Sequence, residues 1–230
     1  MDSSDAGHLL TPDGLRLLDE VTALPSGLDI VAQVAQLRKD GHEPALVAAV
    51  VSQARLRHKA RAKFGDFADT MLFTPAGLEQ STRFAVAAHH AGRFSRAGFR
   101  RVADLGCGIG GDSLALASLD IHVLAVDSDE VTAAFASYNL APFAESEVRH
   151  EMADAVDLSD MDALWFDPAR RTSGHASSTR LADPSDWSPS LDWVFAQAAE
   201  KPSGIKLGPG FPLESIPREV GGQPVEAQWI

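Results

Sequence analysis

The spacing of apolar and polar positions changes near residue 100. Before it the pattern is helical. Leu15, Leu18 and Val21 fall on one face of a helix that starts at Thr11-Pro12-Asp13 and runs to about Leu24. Pro25-Ser26-Gly27 breaks it, Leu28 to Lys39 predicts a second helix, and Gly41 to Pro44 separates that from a third, Ala45 to about Lys63. Thr74-Pro75 predicts a further start, with proline at the first helical position, in a helix reaching about His90. After Arg101, short apolar runs alternate with helical stretches. Strands are expected near 102–105, Ile121–Val126, Val148–Met152, Ala163–Phe166 and Gly204–Leu207. Helices are expected at Asp112–Leu119, Glu130–Asn139 and Leu191–Glu200. That alternation implies βαβ units and a mostly parallel sheet. The chain therefore divides into an all-helical lobe, 1–73, and an α/β domain, 74–230. Val225 to Ile230 reads as a strand with nothing after it, so the sheet is expected to lack its C-terminal strands, as a piece of a longer protein would.

The first strand empties into Val102-Ala-Asp-Leu-Gly-Cys-Gly-Ile-Gly-Gly111. Gly106, Gly108 and Gly110 let the backbone turn tightly and approach a ligand, because no Cβ intervenes. The helix that follows aims unpaired N–H groups at the same place. Such a turn is shared with dinucleotide folds, but Asp104 distinguishes the cases. A carboxylate at the strand end repels a pyrophosphate and attracts a cation. S-adenosylmethionine carries an ammonium and a sulfonium, whereas NAD carries a pyrophosphate. A nicotinamide oxidoreductase is therefore the weaker reading.

Further acids follow each strand. Asp127 comes twenty-three residues after Asp104, at the tip of the second strand, where a ribose needs a bidentate hydroxyl acceptor. Ser128 and Asp129 then cap a helix. The third strand opens into Asp154-Ala155, and the fourth into Asp167-Pro168-Ala169-Arg170-Arg171. Four acids just past four strand ends would share the carboxyl edge of one sheet, where open α/β sheets bind ligands.

Composition and charge narrow the classes. At 230 residues and 45% hydrophobic, the chain can bury one substantial core and a smaller second one. It has no apolar run long enough to span a membrane and no secretory start, and its single cysteine, Cys107, excludes an internal disulfide. A cytoplasmic protein is expected, with no metal: His89-His90 has no partner ligands at suitable spacing. Residues 1–101 hold 13 Lys and Arg against 11 Asp and Glu, whereas residues 102–230 hold 7 against 21. A polyanion would thus meet the N-terminal half first. Arg55, Arg57, Lys59, Arg61 and Lys63 are the cations concentrated there, with Phe64 and Phe67 as stacking candidates. Spaced by two, they spread around a helix instead of forming one stripe.

The run Asp104 to Gly110 resembles motif I of the class I S-adenosylmethionine-dependent methyltransferases, Asp/Glu-x-Gly-x-Gly-x-Gly. The resemblance extends over about 55–212, through Met71-Leu72-Phe73-Thr74-Pro75, Val126-Asp127-Ser128-Asp129, Phe166-Asp167-Pro168-Ala169-Arg170-Arg171 and Gly204-Ile205-Lys206-Leu207-Gly208-Pro209-Gly210-Phe211. Within that family these runs are most similar to the trimethylguanosine synthase branch and to bacterial methyltransferases with a C-terminal THUMP-like domain. The likeness implies a Rossmann-like sheet and an RNA or nucleoside-like acceptor. It also implies a cofactor held by Phe73, Thr74, Asp104, Gly106, Cys107, Gly108, Gly110, Asp112, Asp127, Ser128, Asp154 and Ala155. Asp167 and Pro168 take the catalytic position, facing the methyl acceptor. Arg170 and Arg171, with Arg57, Arg61 and Lys63, become candidate substrate contacts. Relatives that methylate amino groups place a second proline and an aromatic ring after Asp-Pro. Here Ala169 and Arg170 stand there, which leaves a non-catalytic cofactor-binding subunit as the alternative.

Overall fold

The computed structural model describes residues 3–24, 30–168, 187–208 and 210–230. Its centre is a parallel five-stranded sheet in the order β3-β2-β1-β4-β5, formed by β1 Arg101–Leu105, β2 His122–Asp127, β3 Ser146–His150, β4 Ala163–Phe166 and β5 Ser203–Ile205. The near-continuous apolar runs of β1, β2 and β4 are buried on both faces, as a parallel sheet demands. Val102, Val123, Ala125 and Trp165 share one cluster with helices α6 (Phe84–Arg96) and α7 (Gly111–Ala117). Ala103, Leu105, Leu124, Val126, Leu164 and Phe166 share another with Val194 of α9 (Leu191–Glu200). Between β2 and β3 runs α8, Glu130–Leu140, whose first N–H groups are capped by the Asp129 side chain accepting from Thr132.

The N-terminal region is helical: α1 Ser3–Leu9, α2 Pro12–Thr22, α3 Ile30–Lys39 and α4 Pro44–Phe64. Thr11 caps α2 by accepting from Gly14 N at 3.0 Å. The seven residues of α1 are too few to show a period, yet Ala6 and Leu9 are buried against Leu17, Leu18 and Val50. This cluster also contains Leu72 and, from α8, Val131 and Phe135. The helices thus rest directly on the α/β layer.

Two expectations fail. The helix expected to run from Pro75 to about His90 is broken into α5 (Pro75–Gln80) and α6, with Ser81 extended between them. Lys63 Nζ takes the carbonyls of Leu78, Glu79 and Ser81, each at 2.8 Å, and Thr82 Oγ1 donates to buried Asp112 at 2.7 Å. These bonds replace the helical ones. The expected strand at 225–230 does not form either. Glu219–Val220 (β6) instead pairs antiparallel with Gln223–Pro224 (β7), and the last residues hang on α6 through Arg93 to Glu226 and Gln228. No helix among the described residues is long and apolar enough to cross a membrane.

Candidate active site

The glycine turn is fixed from below and open above. Gly106 N and Cys107 N both donate to Val126 O, tying the turn to β2, and Gly110 N closes on Cys107 O. Gly106 has φ +90°, and a Cβ there would stand 3.2 Å from the carbonyl oxygen of Asp167. Gly108 has φ +55° with nothing within 4 Å of where its Cβ would be. Close approach by other atoms is therefore available at Gly108. Gly110, φ +82°, caps α7 and lies against Leu140.

Around this turn the strand ends bring acids together. Asp104 lies opposite Ala125 and Trp165 in the sheet and is 1% exposed. Its Oδ2 accepts from Ser113 Oγ at 2.5 Å, and its Oδ1 is buried with no hydrogen-bond partner among the described residues. Burial pushes its carboxyl well above the usual carboxylate range, the charges of Asp112, Asp167 and Asp127 push the same way, and the Ser113 bond opposes them. Asp127 accepts from Gly108 N through Oδ2 and from Asp129 N through Oδ1, both at 2.9 Å. Burial raises its pKa too, against those two bonds and nearby His150, its register partner on β3. Each oxygen keeps a second lone pair for a hydroxyl. Asp167, at the end of β4, is paired with Lys206 Nζ, and Lys206 N donates to Phe166 O at 2.8 Å.

A pH dependence follows from the two raised acids. Each binds its proton more tightly in the folded chain, so its contribution favours folding most below the ordinary value of about 3.9. It is lost as pH rises through the raised value. Urea denaturation of the ligand-free chain should show this falling stability, and Asp104→Asn should flatten it. An Asp104→Asn profile parallel to the parent's would place the dependence elsewhere.

The other candidates fall into three groups. Ser128, Asp154 and Ala155 are exposed near the ends of β2 and β3, as a ligand edge requires. Cys107 is buried within the glycine turn, and burial with the charges of Asp104 and Asp127 pushes its thiol well up. Asp112 is held by Thr82 and, at 3.4 Å, by His90, whose ring stands 4.5 Å from Trp165. Its carboxylate thus joins α6 to α7. Pro168 is buried beside Asp167. Arg170 and Arg171 lie outside the described residues.

Phe73 and Thr74, expected to hold the cofactor, belong to an extended segment, 71–74, that is buried through Phe73 and half-buried at Thr74. Phe73 is fully buried, its ring 5.6 Å from Phe64, and Thr74 caps α5 by accepting from Gly77 N. No strand among the described residues pairs with this extended segment. Arg57 Nε donates to Met71 O at 2.9 Å. Asn139 accepts from Leu72 N at 2.7 Å and donates to Leu72 O at 3.0 Å and Ile109 O at 2.9 Å. Gln53 accepts from Phe73 N and donates to Phe73 O. Two carboxamides thus stand in for neighbouring strands, and Asn139 ties the segment to the glycine turn.

The basic residues of α4 need a correction. Arg57 is fully buried, bonded also to Asp19 and Thr22, so it has no surface to offer a substrate. Arg61 is held by both oxygens of Asp69 at 2.8 and 2.9 Å. Lys63 donates to three carbonyls at the end of α5. Sequence reasoning had no access to Gln53, Asn139 or Ser113, since polar residues within helices have no periodic signal. Lys206 did leave one, a lysine within the expected fifth strand in the acidic half.

Comparison with known proteins agrees with this architecture. A family described as Domain of unknown function (DUF8688) matches residues 2–60. The chain is 32% identical over 175 residues to an uncharacterised S-adenosylmethionine-dependent methyltransferase of Mycobacterium tuberculosis, found in strains CDC 1551 and H37Rv. That match covers 74% of this chain and 47% of the relative, so the chain spans about half the length of the curated relatives it matches. A crystal structure of a candidate methyltransferase from Porphyromonas gingivalis W83 superposes with a TM-score of 0.63 at 20% identity, over 85% of this chain and 49% of that one. Strand order, glycine turn and these relatives together give the chain the Rossmann-like α/β fold of the class I S-adenosylmethionine-dependent methyltransferases, with a helical N-terminal region.

Proposed function

We propose that the chain binds S-adenosylmethionine at the glycine turn and directs its methyl group to an RNA or nucleoside-like acceptor beside Asp167. The observation that supports this best is the pairing of an open backbone at Gly108 with a buried, unpartnered carboxylate oxygen on Asp104. An orphaned buried acceptor costs about 1–3 kcal/mol unless a donor reaches it, and an ammonium is such a donor. The residues present fit the cofactor: Asp104 on the side of its amino group, Asp127 for the ribose hydroxyls, Asp154 and Ala155 for the adenine. When bound, the cofactor would supply an electrophilic methyl group on a positively charged sulfur, and that sulfur would leave as a neutral thioether.

The chain's own work is then mainly positional, since holding the acceptor in line supplies much of the rate. Asp167 orients the acceptor and takes up the proton it loses. Lys206 holds that carboxylate in place. Asp167→Ala should thus lower turnover strongly while leaving S-adenosylhomocysteine affinity within a few-fold. The test is incubation with methyl-labelled cofactor and separate RNA, protein and small-molecule extracts, with calorimetry of S-adenosylhomocysteine in parallel. Label in RNA supports the reading, and label confined to protein or small molecules overturns the acceptor. Binding without transfer to any fraction would favour the cofactor-binding subunit.

A further inference from the structure

The five cations of α4 separate into two sets. Arg57 is buried and bonded inside the fold, and Arg61, on the surface, is held by both oxygens of Asp69. Arg55, Lys59 and Lys63 follow one another at i, i+4 and i+8, so they form a row with about 6 Å of rise between neighbours. Arg55 and Lys59 are exposed. At the end of the row Lys63 grips Ser81 O, and two residues later exposed Arg83 begins α6. Phe84 follows, and its ring lies 4.8 Å from that of Phe67, which is 42% exposed in the turn just after α4. The row therefore ends on a pair of rings.

The same corner reaches the catalytic edge. A Cβ on Gly111, which opens α7, would meet the Phe64 ring at 3.4 Å and Ser81 Cβ at 3.9 Å. The corner gripped by Lys63 thus borders the glycine turn. Burial lowers the Lys63 pKa, and the charges of Lys206, Arg83 and Lys59 lower it further, while Glu79 opposes them. Lys206 is the partner of Asp167. Cations thus lead from Arg55 to the proposed acceptor site, on a chain whose net charge is −12.

We propose that Arg55, Lys59 and Arg83 bind successive phosphates of a single-stranded RNA, and that Phe67 stacks on one of its bases beside Phe84. This rests on the RNA reading above and assigns the surface that would hold that substrate. Charge complementarity selects the partner: the phosphate backbone is anionic throughout, the step along the row is close to that between neighbouring phosphates, and an exposed ring beside cations suits an unstacked base. An acidic peptide would use the cations and leave the ring idle.

The test measures binding of a fluorescein-labelled oligouridylate by anisotropy across a range of salt concentrations. Each lost phosphate contact should flatten the log–log slope by about 0.7, so the Arg55→Ala/Lys59→Ala/Arg83→Ala variant should lose about 2. Phe67→Ala should weaken binding about five- to a hundredfold with the slope unchanged. Binding of heparin, a polyanion without bases, should respond to the triple variant and ignore Phe67→Ala. Arg61→Ala is the control that should leave the slope as it is, and S-adenosylhomocysteine affinity should be unaltered in all of them. A parent-like slope in the triple variant overturns the surface while the RNA reading stands. Equal loss of heparin and RNA binding in Phe67→Ala overturns the stacking role. If the parent binds no oligouridylate even at low salt, surface and RNA reading fall together.

Discussion

Asn139→Leu should destabilise the chain by about 3–5 kcal/mol, or roughly 6–20 °C in Tm for a protein of this size. The substitution preserves shape and removes polarity. Asn139 is 4% exposed and makes bonds to Leu72 N, Leu72 O and Ile109 O. Leucine would leave all three buried main-chain groups without a partner, because no strand among the described residues pairs with segment 71–74 to replace them. Each unmet group costs about 1–3 kcal/mol, and the sum is reduced where the segment relaxes toward water. Thermal and urea unfolding would measure it. A loss below about 1 kcal/mol would mean that the segment finds other partners easily, and that the carboxamide is incidental.

Asp127→Ala should weaken S-adenosylhomocysteine binding about tenfold to a hundredfold, the worth of charge-assisted hydrogen bonds in the proposed ribose contact. The side chain has a second duty, since it accepts from Gly108 N and Asp129 N. Asp127→Asn should therefore fail as well. Its amide can accept from one of those N–H groups only by turning its own NH2 toward the other. Calorimetry on both variants checks this, with unfolding curves to separate loss of the site from loss of the fold. Parent-like affinity in Asp127→Ala would remove the ribose assignment and leave Asp127 as a brace for the turn.

What the sequence revealed and what it hid follow from the range of the interactions. The parallel sheet, its glycine turn and the acids at the strand ends depend on local signals: apolar runs, Gly at positive φ, and a carboxylate at or shortly past the ends of β1 to β4. The break at Ser81 depends on Lys63, eighteen residues away, and its reach to the end of α5 has no local signature. The basic stretch shows the same limit. Spacing alone treats Arg57 and Lys59 alike. The partners that separate them, Asp19 and the carbonyl of Met71, come from other elements. Alternation at Val225, Ala227 and Trp229 resembles a strand, but strand character needs an edge to pair with, and there the side chains of α6 provide the contacts instead.

The carboxamide bracing of segment 71–74 bears on how the protein can be divided for experiments. Cutting at residue 74 would follow the line between helices and sheet suggested by the rhythm of the sequence, but it would strand Asn139. It would also uncover Val131 and Phe135 of α8, which pack with Leu72 and α1, α2 and α4. A shortened version beginning at Pro75 would thus start with a hydrophobic scar and an idle amide beside the glycine turn. The smallest workable recombinant unit should retain the first four helices, and heating it should give one shared melting transition for helices and sheet.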